Sequence, residues 1–196
     1  MGANGGTEVV ALVGSIVTPC GVQRLTAVAA EGARLAGATV TEIQLLDLDL
    51  PLFSFDREAA TGIPPAALEL KSAIEGSDGL LVGAPEFNTG FTGVLKNAID
   101  WASRPAEPGG PRNSSFAGSV AAMVSGSKWD HAGIRGLAEL RSVLAGVGCL
   151  VLPQQLSVPH APPRFAADGS LPDAELRGEL HALGAALVHA IEAHRG

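Results

Sequence analysis

The sequence predicts an α/β protein: a doubly wound sheet of five parallel strands, in the order 2-1-3-4-5, with helices on both faces. Three observations predict it. Short apolar runs alternate along the chain with stretches whose apolar residues recur at helical spacing. One run, Val40-Thr41-Glu42-Ile43-Gln44-Leu45, largely alternates polar with apolar residues and so belongs at a sheet edge. Right-handed crossovers then make the order reverse between strands 1 and 3, and ligands of such sheets bind at the carboxyl ends of the strands at that reversal.

The first strand is Glu8-Val9-Val10-Ala11-Leu12-Val13, whose unbroken apolar run suits burial on both faces. After a loop at residues 14–21, Leu25, Val28, Ala29, Gly32, Leu35 and Ala36 mark one side of a helix, and Gly37 stops it. The edge strand follows. Residues 46–64 read as a long connection holding Pro51, Phe53, Phe55 and Pro64, and loops of that length tend to be functional. Pro65 opens a second helix that runs to Gly76. Gly79-Leu80-Leu81-Val82-Gly83 is the third strand. The loop after it leads to a third helix, with Val94, Leu95, Ala98, Ile99, Trp101 and Ala102 on its apolar face. The segment from Pro105 to Pro111 ends that helix. Ser119 to Val124 is the fourth strand, and Ser125-Gly126-Ser127 turns the chain. Leu137, Leu140, Leu144 and Val147 mark the fourth helix. Cys149 to Leu152 is the fifth strand, and a proline-rich stretch, 153–163, comes after it. The last helix starts near Asp173 and carries Leu176, Leu180, Leu183, Leu187 and Ile191. Neither an internal repeat nor a linker divides the chain, so 1–196 is read as one domain, with 1–7 disordered.

Composition narrows the function classes. The chain has 196 residues, 46% hydrophobic and 17% charged, which describes a folded domain with a sizeable core. A net charge of −7 excludes a basic nucleic-acid footprint. No apolar run reaches membrane-spanning length, and residues 1–6 lack the charged and apolar regions of a signal peptide, so a cytoplasmic protein is expected. Cys20 and Cys149 lie far apart and suggest no disulfide framework. The five histidines are scattered, no pair has convincing metal-ligand spacing, and no metal is expected.

Two loops fall at the reversal point. The first, Gly14-Ser15-Ile16-Val17-Thr18-Pro19-Cys20-Gly21, reads either as a plain capped turn or as a phosphate cradle. As a cradle, Ser15 and Thr18 supply hydroxyls beside the N–H groups of a helix start. It has neither the Gly-Lys-Ser/Thr ending of a P-loop nor the Gly-x-Gly-x-x-Gly fingerprint. Cys20 is either a small filler or a thiol activated by that helix start. The second loop joins the third strand to its helix and reads Ala84-Pro85-Glu86-Phe87-Asn88-Thr89-Gly90-Phe91-Thr92-Gly93.

Pro85-Glu86-Phe87-Asn88, followed by Gly93-Val94-Leu95-Lys96-Asn97-Ala98-Ile99-Asp100-Trp101, resembles the signature of the NAD(P)H-dependent FMN reductase family, with Phe87 in place of a tyrosine. The resemblance covers about residues 8–165. It implies a flavodoxin-like fold, FMN as cofactor, NADPH or NADH as electron donor, and a quinone, free flavin or similar small molecule as acceptor. It also implies a homodimer or homotetramer, with no nucleic-acid or membrane partner. In the family's manner, Pro85, Glu86, Phe87, Asn88 and Thr89 lie along the flavin ring, and Ser125, Gly126 and Ser127 close over it. The phosphate falls to Ser15, Val17, Thr18, Cys20 and Val22. There the match is partial: Val17, Cys20 and Val22 stand where the family has arginine, serine and asparagine, which predicts weak phosphate binding. Phe53, Phe55 and Trp129 are expected to line the substrate pocket, although Trp129 reads equally as a surface or subunit contact. Glu86 is expected to hold the loop's shape or an interface, and no side chain is expected to be catalytic, because the flavin carries the chemistry. The competing reading is a flavin-binding electron carrier with a degenerate phosphate loop.

Overall fold

The computed structural model describes residues 6–107 and 109–195. Five strands form one parallel sheet: β1 Glu8–Val13, β2 Thr39–Gln44, β3 Gly79–Gly83, β6 Val120–Gly126 and β7 Leu150–Val158. Their order is β2-β1-β3-β6-β7. With β4 Glu86–Phe87 and β5 Gly90–Phe91 set apart as a separate hairpin, this is the expected 2-1-3-4-5. The helices are α1 Gly21–Leu35, α2 Phe55–Thr61, α3 Pro65–Glu75, α4 Gly93–Ala102, α5 Ile134–Gly146 and α6 Ala174–Arg195.

Alternation along the three central strands sends side chains to two cores. Val9, Ala11, Leu81, Ala122 and Val124 pack under α1 and α6 with Leu25, Ala29, Leu180 and Leu187. Val10, Leu12, Leu80, Val82, Ala121 and Met123 pack under α3, α4 and α5 with Leu70, Leu95, Ile99, Leu137 and Leu140. Helices α1 and α6 come close because glycines face backbone. A Cβ on Gly184 would sit 2.0 Å from the Ala29 carbonyl oxygen, and one on Gly32 would sit 2.3 Å from that of His181.

Three local expectations are corrected. The connection 46–64 is not a plain loop: Leu45–Leu48 forms a 3-10 turn, and Ser54 caps α2 by accepting the Arg57 N–H at 3.1 Å. The fifth strand does not stop at Leu152. It runs on to Val158, and its pairing with β6 shifts register between Ala121 and Met123, beside Pro153. An edge strand with such an irregularity tolerates a residue that has no N–H. Ser125 and Gly126 are the end of β6 rather than a turn. The expected disorder of 1–7 lies, for residues 1–5, outside the described residues. Thr7 is buried, and its carbonyl accepts the Thr39 N–H at 2.9 Å.

Candidate active site

The carboxyl ends of β1, β3 and β6 are laced together by hydrogen bonds. Gly14 N–H donates to the Gly83 carbonyl at 2.8 Å, and Ala84 N–H to that of Val124 at 2.9 Å. Ser125 Oγ, fully buried, donates to the Ala84 carbonyl at 2.5 Å. Thr92 performs two tasks: its hydroxyl donates to the Gly14 carbonyl at 2.5 Å and accepts the Leu95 N–H at 3.3 Å. It thereby caps α4 and fixes the first loop to the second. Sequence reasoning passed over Thr92, although a threonine directly before an amphipathic helix is the signal that could have found it.

The second loop is a hairpin. Glu86 pairs with Phe91 and Phe87 with Gly90, and the turn residues Asn88 and Thr89 have φ of 49° and 70°. Two positive φ values in a two-residue connection make a type I′ turn. Asparagine tolerates that conformation, whereas a β-branched threonine is strained in it. Phe87, Asn88 and Thr89 are exposed on the hairpin's tip.

Glu86 faces the other way. One carboxylate oxygen accepts the Arg135 and Gly136 N–H groups, each at 3.1 Å, at the start of α5. The other accepts from Arg135 Nε at 2.8 Å and from Arg135 Nη2. Burial pushes the carboxyl's pKa up, but the Arg135 guanidinium and the two N–H groups outweigh it and hold it below the ordinary value. Glu86 is therefore ionised at neutral pH and is a brace between hairpin and α5. Gly133 completes the join. Its φ is 88°, and a Cβ there would lie 1.9 Å from Ser125 Oγ.

The first loop offers neutral donors. Ser15, buried, is engaged in its own turn: its hydroxyl donates to the Val17 carbonyl at 2.8 Å and accepts the Val17 N–H at 3.1 Å. Cys20 caps α1, its sulfur accepting the Gln23 N–H at 3.3 Å. Val17 is 57% exposed, and Thr18 is exposed beside it. The Val22 side chain turns into the core against Gly83, so only its backbone faces the loop. The N–H groups of Gly21 and Val22, in the first turn of α1, find no acceptor among the described residues. No lysine or arginine occurs between Gly14 and Gln23, and Arg24 lies over the Phe165 ring at 5.6 Å.

Gly126 and Ser127 follow Ser125, and the Ser127 hydroxyl accepts the Trp129 N–H at 3.0 Å. Trp129 is 65% exposed. Phe53 and Phe55 lie elsewhere. Phe53 stacks edge-on against Trp101 with centroids 5.0 Å apart and against Phe55 at 5.4 Å, and Arg104 covers both rings. Asn97 and the Trp101 indole N–H bind the backbone at residues 50–53, which fixes that segment to α4. Trp101 sits eight residues after Gly93, roughly 12 Å down the helix axis. Within one chain, the two phenylalanines are thus separated from the hairpin, the first loop and Trp129, which the sheet brings together. A groove of about 460 Å³ runs beside Phe55 and Arg104, and a polar cavity of about 260 Å³ lies at the amino ends of the strands, between Asp78, Ser119 and Arg195.

An exposed hairpin edge beside a helix start with unpaired N–H groups fits a planar ring carrying an anionic tail. FMN is such a group, and the first loop would meet it with neutral donors alone. The family described as NADPH-dependent FMN reductase matches residues 7–163. A probable NADPH:quinone oxidoreductase of Oryza sativa is 35% identical over 135 residues, covering 67% of this chain and 63% of that protein, just under two thirds of its length. An NAD(P)H-dependent FMN reductase of Pseudomonas aeruginosa is 36% identical over 137 residues, covering 69% of this chain and 70% of that protein. The solved flavoenzyme NAD(P)H:(acceptor) oxidoreductase FerB of Paracoccus denitrificans superposes with a TM-score of 0.81 at 30% identity, over 96% of this chain and 98% of that one. The chain, with its flavodoxin-like sheet, belongs to the NADPH-dependent FMN reductase family.

Proposed function

We propose that this chain is an FMN-dependent reductase that takes a hydride from NADPH or NADH and passes electrons to a quinone or a similar small acceptor. The observation that carries the reading is the hairpin Glu86–Phe91, braced by Glu86 on α5 at the carboxyl ends of β3 and β6. Bound FMN would supply the redox chemistry, accepting hydride at its N5 and returning electrons to the acceptor.

The chain's own part is placement. Pro85 to Thr89 present backbone to the ring, and Thr92 keeps the first loop in step with the hairpin. Thr18 and the first N–H groups of α1 meet the phosphate, with the positive end of the helix behind them. Ser127 and Trp129 border the open face. Glu86 is turned toward α5 and engaged by Arg135 and Gly136, so its part is to hold the hairpin in place.

Phe53 and Phe55 reach no part of their own chain's crevice, so their substrate-pocket role requires a second copy of the chain, as a homodimer or homotetramer. Action in the cytoplasm accords with both cysteines being free and with no helix among the described residues being long and apolar enough to cross a membrane. One observation favours the alternative of a weakly loaded carrier: the first loop has no cation for the phosphate, and its Ser15 hydroxyl is already occupied. Steady-state oxidation of NADPH by a small quinone, with FMN added, tests the reading. Parallel double-reciprocal lines are expected, since one flavin face serves donor and acceptor in turn. Intersecting lines would mean that both bind together, and FMN binding without turnover would favour the carrier.

A further inference from the structure

The loop that carries Trp129, residues 127–133, is tied to the segment after β7 by backbone and by one side chain. Ser127 N–H donates to the Val158 carbonyl at 3.1 Å, and Ala161 N–H to that of Ser127 at 2.9 Å. Between these, His160 reaches the loop with both ring nitrogens. Nδ1 lies 3.0 Å from the Lys128 carbonyl oxygen, and Nε2 lies 2.9 Å from Asp130 Oδ1. The His160 backbone adopts φ of 51°, a conformation that histidine visits more readily than most residues.

Both partners of the ring are acceptors. A carbonyl oxygen never donates, and an ionised carboxylate only accepts. A neutral imidazole has one donor nitrogen and one acceptor nitrogen, so it makes one of these two bonds at a time. Only the imidazolium makes both. We propose that His160 is a positioning residue for the crevice: charged, it ties the Trp129 loop down at two points, and neutral, it releases one of them. The link to turnover rests on the reductase reading; the link to loop position does not.

The charged surroundings are simple. On the loop stand Lys128, whose ammonium lies 5.0 Å from the Trp129 ring centroid, Asp130 and His131. On the far side, Arg164 donates to the Pro159 carbonyl at 3.1 Å and pairs with Asp173 at 3.0 Å, while Arg24 of α1 covers Phe165. Among the described residues, Asp130 is the one charged group bonded to the ring.

The two tryptophans make the loop observable. Trp101 is fully buried and Trp129 is 65% exposed, so acrylamide quenching of flavin-free protein reports on Trp129. The experiment follows quenching between about pH 5 and 8, the range in which an imidazole switch operates, in a His131→Gln background so that the loop itself carries no histidine. The expected result is a rise in the quenching constant with pH, of less than about twofold because Trp129 is already 65% exposed in the tied loop, as an exposed ion pair shifts the loop equilibrium by about two- to fivefold. In Asp130→Asn the carboxamide donates to a neutral ring nitrogen, so the tie survives and the rise disappears. In Asp130→Ala the constant is high throughout. In the FMN-loaded protein, the KM for quinone is expected to follow the same pH pattern and to flatten in Asp130→Asn. A flat wild-type curve, or an Asp130→Asn curve that tracks wild type, overturns the proposal. Absence of turnover with the quenching pattern intact counts against the reductase reading and still supports the tie.

Discussion

Replacing Glu86 with glutamine tests the brace between the hairpin and α5. The carboxylate accepts four N–H groups, from the Arg135 side chain and from the Arg135 and Gly136 backbones, and its side chain is only 7% exposed. Glutamine keeps one acceptor oxygen but turns an amide donor toward the other donors. A charge-assisted hydrogen bond is worth about 1.5–3 kcal/mol, and a negative charge at a helix start adds about 0.3–1 kcal/mol. Arg135 is 47% exposed and regains water when released, which places the loss toward the lower end of their sum. We expect about 2–3 kcal/mol, or a fall in Tm of roughly 5–10 °C for a chain of this size. The pH dependence has a definite sign. The folded carboxyl titrates below its ordinary value of 4.5, so its contribution is fully present above that value. It is lost as pH falls through the lowered folded value. Thermal unfolding of wild type and Glu86→Gln should therefore show a gap that is constant at neutral pH and closes in acid. Equal Tm values at neutral pH, or a gap unchanged down to strongly acid conditions, would refute the brace.

Four further outcomes follow from the geometry. Val17→Arg should tighten FMN by about tenfold and riboflavin hardly at all, because Val17 is exposed on the loop proposed to meet the phosphate and an arginine there would add a charge-assisted bond; equal gains for both ligands in fluorescence quenching would remove Val17 from the phosphate site. Thr89→Gly should stabilise the fold by about 1 kcal/mol by relieving a β-branched residue at φ of 70° and creating the Asn-Gly pair that type I′ turns prefer; a lower Tm would contradict this. Thr92→Val should cost about 1–2 kcal/mol through the lost α4 cap and should weaken flavin binding through the freed first loop; unchanged FMN affinity would separate that loop from the cofactor. Burial pushes the Cys149 thiol up to about 12, so a thiol reagent at neutral pH should label Cys20 alone in native protein and both cysteines after unfolding.

The sheet was legible because β1, β3 and β6 are unbroken apolar runs and β2 is not, which set both strand positions and the reversal point. What the sequence hid was mostly relational. Glu86 and Arg135 stand far apart in the chain, and nothing local in either announces the pair. The hairpin was missed because its strands have two residues each and its turn holds Thr89 where an Asn-Gly pair would have signalled it. Helix α2 did carry a signal, Ser54 followed by Asp56 and Glu58, which the surrounding prolines and phenylalanines masked. Pro153 argued for a strand end because a register shift that accommodates it cannot be read from one chain. Both candidate loops lie at the carboxyl ends of the strands, where the strand order put them, but the orientations within them were not legible: Val22 faces the core, Glu86 faces α5, and Phe53 and Phe55 pack far down α4.

We propose that the hairpin and the first loop together hold FMN. A crystal structure of the protein grown with FMN tests it most directly. The ring is expected against residues 85–89 beside Ser127, with the phosphate on Thr18 and the first N–H groups of α1. A flavin seated instead in the groove beside Phe55 and Arg104, or no flavin at concentrations that saturate the protein in solution, would contradict it.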